Sequence, residues 1–136
     1  PIGDADVKME GTDLSVISYG LMLHLCIEAA QDLIDEGISV EVLDLRTLRP
    51  LDSEAILSTA RKTGKVLIVH EDTKALGIGS EVSAIISEDA FEYLDGPIMR
   101  IAGPEIPAMP FSPDLEAMFL PDTKRIGDAM RKLIQY

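Results

Sequence analysis

The side chains best suited to chemistry sit in three short stretches. His70-Glu71-Asp72 sets an imidazole beside two carboxylates, a grouping that can act as a general base or bind a metal. It follows the apolar run Lys65 to Val69, so it is expected at the carboxyl end of a buried strand. That edge is where ligands sit in open α/β sheets. Adjacent residues on a strand point to opposite faces, so the three cannot all hold one ion. A subunit contact and a local structural role therefore compete with catalysis. The second stretch, Gly77-Ile78-Gly79-Ser80-Glu81, opens a helix, where free amides bind anions. Its match to a dinucleotide loop is poor. The strand before it is expected to end at Val69, Val82 replaces the third glycine, and Glu81 would repel a phosphate. A tight turn with φ > 0 and close helix–sheet packing explain these glycines better. The third stretch runs from Asp44 to Asp52 and interleaves acids with Arg46 and Arg49, which can form fixed bidentate ion pairs. His24 has no evident partner, and no Ser-His-Asp set, zinc spacing or Walker loop stands out.

The elements that must position these residues follow from periodicity. Ala5–Glu10 alternates small or apolar with charged residues, as a half-exposed edge strand does, and is the strand expected to run antiparallel. Leu14–Tyr19 is a second strand, broken by Gly20. A helix follows, with Leu21, Leu25, Ala29, Leu33 and Ile34 on one face and Gly37 at its end. Ile38–Leu45 alternates as a strand. Asp52-Ser53-Glu54 caps a second helix, which has Ala55, Ile56, Leu57 and Ala60 inward and stops at Gly64. Lys65–Val69 is a buried strand. A third helix is expected from about Ser80 to Tyr93, with Val82, Ile85, Ile86, Ala90 and Tyr93 as its core stripe. Ile98–Ala102 is the last strand, the four prolines between Gly103 and Pro113 exclude regular structure, and a helix over 123–134 closes the chain. Repeated β-α-β units predict right-handed crossovers. The expected fold is a three-layer α/β/α domain with a mostly parallel five-stranded sheet and one antiparallel edge strand. Without internal repeats or linkers, residues 1–136 read as one domain.

Composition narrows the function classes. At 136 residues and 14.8 kDa the chain can bury a real core. No apolar run approaches the roughly 20 residues of a membrane-spanning helix, and Pro1-Ile2-Gly3-Asp4 has no signal-peptide pattern. The lack of an initiator Met reads as a fragment or a processed product. Cys26 is the single cysteine, so an internal disulfide is excluded, a reducing compartment is the simple reading, and core packing is its expected role. A net charge of −12 argues against nucleic-acid binding and would attract a basic partner, while ordinary solubility explains it about as well taken alone.

One resemblance adds to this reading. Asp44-Leu-Arg-Thr-Leu-Arg-Pro-Leu-Asp52 resembles the matching segment of the β subunits of thiamine-dependent 2-oxo-acid dehydrogenases of the pyruvate, branched-chain and acetoin types. Gly11–Gly20, Lys62–Glu71, Gly77–Glu81, Phe91–Pro97 and Gly103–Pro107 follow in family order, with Glu105 standing where the family more often has Asp. The resemblance implies a transketolase carboxy-terminal fold. It implies a parent enzyme that decarboxylates a 2-oxo acid on thiamine diphosphate with Mg and passes the acyl group to lipoyl, in the cytoplasm of prokaryotes or the mitochondrial matrix of eukaryotes. It also implies that this domain alone holds no complete cofactor site and is inactive. The implied partners are a second β subunit, the α subunit and the subunit-binding domain of the dihydrolipoyl acyltransferase. Partner contacts map onto Asp95 and the carboxylate of Tyr136, and the subunit interface onto Arg46, Arg49, Asp52, His70 and Glu71. Two alternatives stay open: another transketolase-superfamily enzyme, and a stand-alone nucleotide-binding or receiver-like module.

Overall fold

The structure, a computed structural model, describes residues 2–73, 77–103 and 122–136. The proline-rich segment and the motif Gly103–Pro107 lie outside these residues, apart from Gly103. The elements are β1 (Asp6–Met9), β2 (Leu14–Ser18), α1 (Leu21–Ile34), β3 (Val40–Asp44), α2 (Ser53–Thr63), β4 (Val66–Thr73), α3 (Ile78–Asp89), β5 (Met99–Gly103) and α4 (Thr123–Ile134). A single 3₁₀ turn, Phe91–Tyr93, follows α3.

The sheet order is β1-β3-β2-β4-β5. β1 pairs antiparallel with β3, and the other three pairings are parallel, as the sequence predicts. The chain steps from β2 one way to β3, then back across β2 to β4 and on to β5. With right-handed crossovers, that reversal puts the first helix on one face and the next two on the other. One core accordingly joins Leu14, Val16, Val40, Val42, Leu67 and Val69 to α1 and α4. The other joins Ile17, Leu43, Leu45, Val66 and Ile68 to α2 and α3. The central strands are buried on both faces, which is why they read as near-continuous apolar runs.

Four expectations need correction. β4 continues to Thr73, so His70, Glu71 and Asp72 lie inside the strand rather than beyond it. The β4–β5 ladder is interrupted between Val69 and Thr73, which lets a polar triplet continue the strand. α3 ends at Asp89, and the turn after it carries Tyr93 outward, so Tyr93 is not a core residue. α1 buries Met22, Leu23, Cys26, Ala29, Ala30 and Leu33, while Leu21 and Ile34 face solvent. Finally, Gly77 has φ −80 and Gly79 lies within the helix, so this loop needs no left-handed backbone. Close packing is what remains of that explanation.

Candidate functional site

The residues singled out in the sequence fall on opposite edges of the sheet. The carboxyl edge holds the loop from Leu45 to Asp52. Its backbone is pinned where β3 ends: the Leu45 amide donates to the Ser18 carbonyl at 3.0 Å, and the Arg46 amide donates to Asp44 Oδ1 at 3.0 Å. Arg46 has φ 62, a left-handed conformation that disfavours a side chain with a Cβ. The Thr47 hydroxyl donates to the Pro50 carbonyl at 3.0 Å, across the cis Arg49–Pro50 bond. Asp52 has both oxygens engaged. Oδ1 caps α2 by accepting from the Ala55 amide at 3.0 Å, and Oδ2 accepts from the Ala5 amide at 2.9 Å.

The expected ion pairs within this loop do not form. Its acids accept from backbone amides instead, and among the described residues Arg46 and Arg49 are exposed and outside any ion pair. Arg49, Leu48 and Leu51 face Gly77, Ile78 and Glu81 across a recess of about 510 Å³.

His70 and Glu71 diverge, as strand alternation requires. Glu71 is exposed, while His70 is only 1 % exposed and turned toward α3. Its Nε2 accepts from the Gly79 amide at 3.2 Å. Burial lowers the His70 pKa; Asp72 opposes that effect and Arg100 adds to it. Glu71 and Asp72 stand near Tyr19, whose phenol is raised by burial and by these two carboxylates. Among the described residues no group of three His, Cys, Asp or Glu side chains could hold a metal ion.

The amino edge brings Asp95 and Tyr136 together. The Asp95 amide donates to the Gly64 carbonyl at 2.7 Å, which ties the loop after α3 to the left-handed Gly64 that ends α2. Gly96 packs against Tyr136, so a Cβ there would stand 3.1 Å from the tyrosine Cβ and 3.3 Å from its Cγ. Lys65 Nζ donates to the Ile134 carbonyl at 3.0 Å and holds the end of α4 against the start of β4. Phe91, Tyr93 and Tyr136 are 72 %, 48 % and 59 % exposed, and the Arg61 guanidinium lies 5.8 Å from the Tyr93 ring centre. Asp95 is thus an exposed carboxylate in a region with exposed aromatic rings.

Sequence reasoning read Gly64 as the stop of α2 and Lys65 as the start of a strand, but gave neither of them, nor Gly96 or the exposed rings of Phe91 and Tyr93, a place at this edge. The glycines gave the one usable signal, since Gly64 and Gly96 each precede a strand where another segment must approach closely.

This architecture is a three-layer α/β/α domain with loops at both edges of its sheet. Residues 3–126 match the family described as Transketolase, C-terminal domain. The chain belongs to that family. It is 54 % identical over 136 residues to the 2-oxoisovalerate dehydrogenase subunit beta of Bacillus subtilis, covering 100 % of this chain and 42 % of that protein. It is 43 % identical over 135 residues to the pyruvate dehydrogenase E1 component subunit beta of the same organism, covering 99 % of this chain and 41 % of the relative. A mitochondrial pyruvate dehydrogenase E1 subunit beta of Dictyostelium discoideum is also 43 % identical, over 99 % of this chain and 38 % of its own length. Among solved structures, a split gene transketolase described as an inactive beta4 tetramer superposes with TM-score 0.85 at 27 % identity, over 98 % of this chain and 43 % of that one. The chain spans about two fifths of the length of the curated relatives it matches.

Proposed function

We propose that this chain is the carboxy-terminal domain of a 2-oxo-acid dehydrogenase β subunit, and that it assembles subunits and docks a partner rather than performing chemistry. The observation that carries the docking reading is the meeting of the Asp95 loop and Tyr136 at one edge, from segments far apart in sequence. An exposed carboxylate with exposed aromatic rings suits a basic, partly apolar partner, and the chain's net charge of −12 speeds its approach. The partner we propose is the subunit-binding domain of the dihydrolipoyl acyltransferase. The other edge, with Arg46, Arg49 and Glu71 exposed and Asp52 and His70 holding the backbone behind them, faces a second β subunit or the α subunit. The parent enzyme would bind thiamine diphosphate and Mg. Among the described residues of this domain no three His, Cys, Asp or Glu side chains cluster so as to hold a metal ion. The cytoplasm or the mitochondrial matrix is the proposed location, because the relatives include bacterial and mitochondrial proteins.

Identity supports the dehydrogenase reading over other members of the superfamily: 54 % to the branched-chain β subunit against 27 % to the split gene transketolase. The test is calorimetry with the subunit-binding domain. We expect a dissociation constant of about 1 μM or tighter, weakened roughly tenfold or more by Asp95→Ala and again by removal of Tyr136. Unchanged affinity in both variants would remove the site assignment.

A further inference from the structure

α3 begins without a cap from its own leading residue. Gly77 has no side chain to offer, and His70 Nε2 takes the Gly79 amide instead, at 3.2 Å. His70 comes from the part of β4 where pairing with β5 is interrupted between Val69 and Thr73, and such irregularities re-aim side chains. A ring nitrogen that accepts a hydrogen bond carries no proton, so the neutral imidazole keeps its hydrogen on Nδ1. A backbone hydrogen bond with Asp72 favours a proton on the ring. Gly79 completes the fit, because a Cβ there would overlap His70 Nε2.

We propose that His70 is a positioning residue that works only as the neutral ring: it caps the amino end of α3 against β4, and its protonation releases that end. An imidazolium presents N–H on both nitrogens, so Nε2 would confront the Gly79 N–H instead of accepting from it. It would also put a positive charge at the positive end of the helix dipole. Charged groups face the ring from two strands. Asp72 on β4 favours protonation, and Arg100 on β5 opposes it while donating to Ser80 Oγ at 2.8 Å. α3 adds Ser80 and the Glu81 of its first turn. On the β2 side, Tyr19 interacts with Asp72 and Glu71. Burial outweighs these influences and favours the neutral form. The released segment includes Gly77, Ile78 and Glu81, one wall of the recess opposite Arg49. Acidification therefore reshapes the carboxyl edge and leaves the Asp95–Tyr136 edge in place.

Nitrogen-15 NMR of the 136-residue chain tests this. We expect the Nδ1–H tautomer for His70 at neutral pH and titration below the ordinary value of 6.5. Amide-exchange protection at Gly79 and Ser80 should drop by about tenfold or more on acidification of the wild type. It should change by less than about twofold in His70→Gln, which keeps an acceptor but does not titrate. An Nε2–H tautomer, titration at or above the ordinary value, or an equal loss of protection in His70→Gln would overturn the proposal. If His70→Gln does not fold, the wild-type tautomer and the coincidence of titration with lost protection decide it.

Discussion

Among the described residues Glu41 is a buried carboxylate, and its surroundings explain how it is tolerated. Its Oε2 accepts from the Thr59 hydroxyl at 2.6 Å, and its Oε1 takes Lys62 Nζ at 2.6 Å and the Gly11 amide at 3.3 Å. Ser15 links to Thr59 and Thr63 at 2.7 and 2.8 Å and extends the network beneath α2. Burial alone would raise the Glu41 pKa, but the bonds from Lys62, Thr59 and Gly11 outweigh it and hold the carboxyl below its ordinary value. The unfolded chain thus binds this proton more readily. The stability Glu41 contributes is complete above the ordinary value of 4.5 and is lost as pH falls through the lowered one. We expect Glu41→Ala to cost about 2 to 3 kcal/mol in urea unfolding at neutral pH, because it strands several buried partners. The gap between wild type and variant should shrink in acid. His70 has the same sign for a different reason: its folded pKa is lowered, so its contribution holds above 6.5 and fades as pH falls. None of this was legible in the sequence. Glu41 sits in an alternating strand as a solvent-facing carboxylate would, and only the helix crossing above it turns that position inward.

At the scale of elements, caps and glycines carry the testable content. Asp52 serves two elements at once, so its replacements should separate the two roles. Asp52→Ala should lose both the α2 cap and the tie to Ala5, at a cost of about 1 to 2 kcal/mol. Asp52→Ser keeps a capping oxygen and should cost less, while amide exchange at Ala5 quickens in both variants. Equal exchange at Ala5 in wild type and both variants would show that the tie does not hold the lead-in to β1. Gly11 lies so close to Val40 and Glu41 that a Cβ would overlap their backbone, which cannot yield as a flexible side chain can. Gly11→Ala should lower thermal stability by roughly 1 to 3 kcal/mol, read from calorimetric unfolding. The element order and the capping role of Asp52 were readable in advance, because periodicity and capping are local. The buried face of α1 was not. Its stretch Leu21 to Ile27 is apolar nearly all round except at His24, so spacing cannot choose a face. The docking of α4 against α1 decided it.

At the scale of the molecule, the excess of 24 acidic over 12 basic residues leaves a negative surface, and the amino edge adds exposed aromatic rings to it. Attraction of a basic partner by such a surface should fade with salt, since the screening length falls from about 10 Å at 0.1 M to about 3 Å at 1 M. Titration of the subunit-binding domain at both salt levels should show slower association in high salt with a smaller change in dissociation. Salt-independent association would mean that the charge plays no part in encounter. The α/β class, the five strands, the antiparallel edge and the family all followed from the sequence by itself, because alternation, helical spacing and short motifs are properties of neighbouring residues. Which residues meet was settled by the tertiary structure. The Asp95 loop joins Tyr136 because α4 runs back along the sheet to the start of β4. His70 meets Gly79 because strand alternation turns it toward α3 while Glu71 stays exposed. The expected ion pairs of Arg46 and Arg49 gave way to backbone amides, because capping α2 and pinning a left-handed turn demanded those carboxylates first. Partnerships of this kind depend on the path of the chain between the partners, and residue type and local spacing do not encode that path.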